Sequence, residues 1–223
     1  MGLFEKRRSV VALPDSALAA IKRELDSVLS VARSYDEIML KGSQGMLISL
    51  EGRIRGDLLA FMLYLSRISK TLTPNEIATV NKLFDIDLSH VDFQIFYSDV
   101  SNRNYEQAVP ASILLIKELG ATLEREAKKP AASAQMEGEA KGPGAPSLAR
   151  AFADDLINVY ALIGSALITA DSSVTERESA DLVRYLYLMN RAVAGEGAPL
   201  PPGPAQQALE AHVRLFGRSP KVR

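Results

Sequence analysis

The 223-residue chain contains no cysteine, which removes disulfides, thiolate zinc sites and cysteine nucleophiles together. Histidine is almost as scarce. His90 and His212 are the only two; they lie far apart and in no motif, so both read as surface residues rather than as parts of a metal site or a triad. Strand signals are few: no run alternates apolar and polar residues cleanly, and no Asn-Gly or Asp-Gly hairpin turn occurs. A net charge of -1 supplies no global field for nucleic acid or an anionic membrane. Basic residues interleaved with aromatics, the mark of single-strand binding, are also missing. Gly42-Ser43-Gln44-Gly45 lacks the rest of a phosphate-binding loop. Gly164-Ser165 lies inside an apolar helix with no Gly-x-Ser-x-Gly elbow, so its small residues read as helix packing.

Targeting signals are lacking as well. The apolar stretch after Lys6, Arg7 and Arg8 runs only from Val10 to Leu13 before Pro14 stops it, and Lys6 stands where a myristoylation site wants Ser or Thr. Of the two apolar segments, 47–65 carries Glu51, Arg53, Arg55 and Asp57. The other, 156–170, is several residues short of the ~20 that a span requires. The expectation is a cytoplasmic protein with no membrane span and no nucleic-acid partner.

What is present is helical. With 47% apolar and 24% charged residues the composition is that of a globular protein, long enough to bury a sizeable core. Leu18, Ile21, Leu25, Val28 and Leu29 follow a 3.6-residue period after a cap at Asp15 or Ser16. A second helix ends near Ile68 with Leu58, Phe61, Met62 and Leu65 on one face. Thr73-Pro74-Asn75-Glu76 opens a third, ending near Phe84. Asp85 and Asp87 read as turn residues before a helix start at Ser89-His90-Val91-Asp92, and Pro110 begins an amphipathic helix. From Lys128 to Pro146 the composition turns to Lys, Pro, Gly, Ala and Glu, which cannot bury enough apolar surface to offset ordering. Ser147 then caps a helix from Leu148 to about Ala170, and another runs from Glu176 to about Ala194. The predicted fold is all-α: an N-terminal helical half over 1–127, a flexible linker over 128–146, a C-terminal half over 147–194, and a Pro/Gly-rich segment, short helix and basic tail (Arg218, Lys221, Arg223) over 195–223, the two halves packed as one pseudo-symmetric bundle.

The pseudo-symmetry rests on a repeat. A shift of about 102 positions lays Ile68-Ser69-Lys70-Thr71-Leu72-Thr73-Pro74-Asn75-Glu76 on Ala170-Asp171-Ser172-Ser173-Val174-Thr175-Glu176-Arg177-Glu178. Each copy follows an apolar helix and opens an amphipathic one. Thr73 with Glu76, and Thr175 with Glu178, have the spacing of capping boxes, in which hydroxyl and carboxylate each satisfy a backbone N–H; Pro74 suits the first helical position. Asp171 is different. It stands at the C-terminal end of an apolar helix, where the macrodipole disfavours a carboxylate by up to ~1 kcal/mol. Either the turn solvates it, or a cation offsets the penalty, with Asp171 and Glu178 as ligands, Ser172 or Ser173 helping, and Ca²⁺ or Mg²⁺ as the ion suited to hard oxygens. An EF-hand does not fit, because Leu182 occupies the twelfth loop position.

Ala170-Asp171-x-x-Val174-Thr175-x-x-Glu178 after an apolar helix resembles the signature of the tellurite-resistance TerB-like family, whose members read Ala-Asp-Gly-x-Ile-Ser/Thr-x-x-Glu there. The resemblance covers about 53–97 and 147–194. It implies an all-α fold of two pseudo-symmetric halves with acidic inter-helix turns that can hold divalent cations, and a role as an intracellular adaptor in bacterial stress or defence, often beside membrane-linked assemblies. Ser172 departs from the family's glycine and Ser69 from its first-half aspartate, so any ligand in the first half is expected to be lost. Asp154 and Asp155 read as dipole-complementing acids near the start of their helix, too far along it to share an ion with Asp171. The expected function is a non-enzymatic protein-binding adaptor, its partner face an exposed apolar patch on the 147–194 helices; the alternatives are a divalent-cation-binding regulatory module and an enzyme with an unrecognised carboxylate pair.

Overall fold

In the computed structural model, residues 7–40, 49–68, 73–101, 109–128, 145–194 and 203–220 are described. The 3.6-residue apolar period does what it should at once: Ile21, Leu25, Val28, Leu29 and Ala32 form a buried stripe along α1 (Asp15–Leu40). The chain continues through α2 (Leu50–Ile68), α3 (Pro74–Phe84), α4 (His90–Ser101), α5 (Ala111–Lys128), α6 (Ala145–Thr169), α7 (Glu176–Ala194) and α8 (Pro204–Phe216). The fold is all-α, as the sequence predicts. The single exception among the described residues is a two-stranded antiparallel ribbon of β1 (Arg7–Ser9) and β2 (Ser173–Thr175), with Arg7 opposite Thr175 and Ser9 opposite Ser173. Its strands are three residues long, too short to show alternation, and their pairing spans most of the chain.

α6 is the hub. It packs against α1, α2, α3, α5, α7 and α8, and Leu156, Ile157, Tyr160, Ile163 and Leu167 are each at most 1% exposed. Phe61 of α2 meets Tyr160 edge-on, with ring centroids 5.1 Å apart, and Tyr185 of α7 at 4.9 Å. The close approach depends on Gly164: a Cβ there would lie 2.6 Å from Leu182 Cδ1 and 3.0 Å from Phe61 Cζ. Residues of both sequence halves thus share one apolar core.

Two helix N-termini are capped by carboxylates from other helices. Asp36 of α1 accepts from Leu50 N at 2.7 Å and Glu51 N at 3.1 Å, and Asp57 of α2 accepts from Ser112 N of α5 at 2.7 Å. These bonds satisfy donors that a helix cannot pair internally and place negative charge at the positive end of the dipole. They also orient α2 on α1 and α5 on α2. Asp85 adopts the left-handed conformation (φ 52°) at the end of α3, and the Ser89–Asp92 pair closes a capping box at α4.

Several expectations change. α6 begins at Ala145, so Ser147 lies inside the helix rather than capping it, and Lys128 still belongs to α5. Only 129–144 of the expected linker separates the helices, and it lies outside the described residues, as do the 41–48 glycine break, Ser69, the 195–202 segment, Lys221 and Arg223. The earlier start also puts Asp154 and Asp155 in the third turn of α6, where the two oxygens of Asp154 share the single Nε–H of Arg150, at 2.9 and 3.1 Å. The apolar run is longer than 156–170: Leu148–Thr169 is long and apolar enough to cross a bilayer, yet over half of it is buried in the bundle, the position of a core helix.

Candidate functional site

The two copies of the repeat touch through Thr73 and Asp171, and α3 and α7 each begin with the capping box that the spacing predicts. At α3, Thr73 Oγ1 accepts from Glu76 N at 3.3 Å while Glu76 Oε2 accepts from Thr73 N at 2.7 Å. At α7, Thr175 Oγ1 accepts from Glu178 N at 3.2 Å and Glu178 Oε2 from Thr175 N at 2.8 Å. Glu76 and Glu178 are 5% and 7% exposed. Asp171 is exposed on the opposite turn.

One atom joins the copies. Thr73 Oγ1 lies 2.9 Å from Asp171 Oδ1 and 3.0 Å from Glu76 Oε2. A hydroxyl carries a single hydrogen, so it can donate to only one of the two carboxylates. The other contact is favourable only when a further proton or a cation lies between the oxygens. The electrostatics agree. Burial pushes the Glu76 carboxyl up, the Thr73 hydrogen bonds pull it back, and the charges of Asp171 and Glu178 raise it again, leaving it at about 7. At neutral pH Glu76 is therefore poised between its two protonation states.

Local backbone geometry sets the Asp171 side of this junction. Ser172 has φ 56°, in the left-handed region that favours glycine; this is the physical reason for a glycine at that position of such a turn, and serine there carries a backbone cost of about 1–2 kcal/mol. The turn is strapped from outside by β1, whose pairing with β2 is extended by Val10 N donating to Ser172 O at 3.0 Å. All three β1 side chains are exposed, so the strap holds by main-chain hydrogen bonds.

Asp171 and Glu178, the metal ligands expected from sequence, are thus brought to one junction and both act on Glu76. Among the described residues no group of three or more acidic or imidazole side chains is arranged to hold a metal ion. Ser172 is exposed and Ser173 is half-buried in β2. Glu76 is the residue that sequence reasoning left as a cap alone, although the repeat that aligns it with Glu178 carried the signal.

The histidines separate. His90 is exposed at the start of α4. His212 is 0% exposed, which corrects its expected surface position. Its Nδ1 lies 2.9 Å from Ser179 Oγ of α7, and its ring packs 5.1 Å from Phe216. The signal was a helical stripe: Ala205, Ala208, His212 and Phe216 fall on one face of α8. No family model, no curated protein and no solved structure matches the chain, so its role must be read from this geometry.

Proposed function

We propose that the chain is a non-enzymatic, cytoplasmic partner-binding adaptor of the kind the TerB-like resemblance implies, working in a bacterial stress or defence system. The observation that carries this reading is on α4. Val91 and Ile95 stand four residues apart, on one face of the helix, and each is 65% exposed. Phe93 anchors the opposite side and is fully buried. Two large aliphatic side chains presented together, on a helix held by a buried aromatic, suit docking of an apolar partner surface. The expected patch on the 147–194 helices is not the better candidate, since Leu148, at 53%, is the one large apolar side chain exposed there among the described residues. The test is affinity purification from source-cell extract. A Val91→Ser/Ile95→Ser double variant should recover at least tenfold less of the proteins that wild type retains, whereas Leu148→Ser retains them. Equal recovery by both variants removes α4 as the partner face.

A second reading, a divalent-cation-responsive regulatory module, draws on the Thr73 hydroxyl shared between two carboxylates. Asp171 Oδ1, Glu76 Oε2 and the Thr73 hydroxyl between them are hard oxygen donors that suit Ca²⁺ or Mg²⁺, with water completing the coordination. An ion there would relieve the repulsion around Glu76. Calorimetric titration of chelator-stripped protein should give saturable binding and a raised Tm for wild type, and at least tenfold weaker binding for Asp171→Asn. Wild-type affinity in that variant would place any ion elsewhere.

A further inference from the structure

Among the described residues, the His212 imidazole is buried with one ring nitrogen unpartnered, and it sits where one helix is attached to the rest. α8 is thirteen residues long and buries three side chains: Ala205, His212 and Phe216. One of its three anchors is therefore titratable. On α7 the facing surface follows helical spacing: Glu176, Ser179 and Val183 lie on one side. Val183 is fully buried on that side, and α8 packs along α7. Beyond α8, Arg218 pairs with Glu176 across the same seam.

The hydrogen-bond inventory of the ring decides its protonation. Nδ1 faces Ser179 Oγ at 2.9 Å, and Nε2 is buried with no hydrogen-bond partner. In the tautomer that suits this pocket, Nδ1–H donates to the serine and Nε2 keeps a bare lone pair. The imidazolium would need a second acceptor at Nε2, and the pocket supplies none, so it would bury an N–H donor and a positive charge together. Burial holds the ring below its ordinary value; of the charged groups acting on it, Glu176, from the first turn of α7, favours protonation but is outweighed, and Arg218 opposes protonation and so adds to the effect of burial. α6, which also packs on α8, has Arg150, Asp154 and Asp155 as its only charged residues, all in its first half. Glu210 and Arg214 are the charged residues of α8 itself.

We infer that α8 is a proton-released clasp: it stays docked while His212 is neutral and detaches from α7 when Nε2 is protonated, uncovering the Ser179–Val183 face. Because the docked ring resists its proton and the free ring accepts it readily, docking is complete above the free histidine value near 6.5 and weakens as pH falls below it, by a factor of about ten per pH unit until the docked ring itself titrates.

The experiment is amide hydrogen exchange on the full chain at pH 7.5 and 5.5, corrected for intrinsic rates, together with NMR titration of the His212 ring. Amides of α8 should lose about tenfold in protection at pH 5.5 while those of α6 do not, with the ring titrating below 6.5 in step. His212→Phe, which keeps an aromatic anchor and cannot titrate, should hold α8 protection constant across the same range. Unchanged α8 protection in wild type, or a ring that titrates at 6.5 with α8 still protected, overturns the proposal. Should His212→Phe fail to fold, the wild-type ring titration and exchange decide the matter alone.

Discussion

Gly164→Val should destabilise the protein by about 3 kcal/mol or more, read as a lowered denaturant midpoint with an unchanged m value. Even a Cβ at this position would stand 2.6 Å from Leu182 Cδ1 and 3.0 Å from Phe61 Cζ, and valine adds two further methyl groups to that space. Overfilling a core costs about 1–3 kcal/mol where neighbours can move. Here Phe61 cannot retreat, since it is fully buried between Tyr160 and Tyr185. Removing a helical glycine returns up to about 1 kcal/mol of backbone entropy, too little to compensate. Gly164→Ala should show the balance, with a loss smaller than valine's. A valine variant as stable as wild type would mean that α6 can slide away from α2 and α7, and that the hub is not rigid.

Glu76→Gln should act in the opposite direction, and only at high pH. Its carboxyl rises from 4.5 to about 7 on folding, so the folded state holds the proton more tightly than the unfolded chain does. This group's contribution to stability is greatest below pH 4.5, declines as pH rises, and is lost once pH passes about 7. The shift corresponds to roughly 3 kcal/mol. Glutamine keeps the capping geometry, because its carbonyl can accept from Thr73 N, and its amide can donate toward Asp171. With chelator present, the variant should therefore be roughly 2–3 kcal/mol more stable than wild type at pH 8 and about equal to it at pH 4.5. Equal destabilisation at both pH values would show that the carboxylate is a plain cap and that the junction carries no charge frustration.

The parts of this structure legible in the sequence are those set by local chemistry. The stripe of Ile21, Leu25 and Val28 made α1; Thr73-Pro74 and Thr175-Glu176 marked the starts of α3 and α7 to the residue; and the repeat paired two segments that touch through Thr73 and Asp171. What stayed hidden was non-local. Asp36 and Asp57 look like ordinary surface acids until tertiary packing presents a helix end to each. His212 lies 33 residues from Ser179, and nothing in either neighbourhood announces the other. The start of α6 was misplaced because a good capping residue, Ser147, proved to be already inside the helix.

The β1–β2 ribbon sets an order of events during synthesis. Arg7 pairs with Thr175, so at translation rates of about 5–20 residues per second the strap waits on the order of ten seconds for its partner to leave the ribosome. The hub helix α6 is delayed almost as long, which leaves the apolar stripes of α1 and α2 without one of the helices that cover them in the interval. The nascent chain therefore carries an exposed hydrophobic surface that chaperones can recognise. Closure of the N-terminal strap, a contact between distant segments held only by backbone bonds, belongs among the last steps of folding.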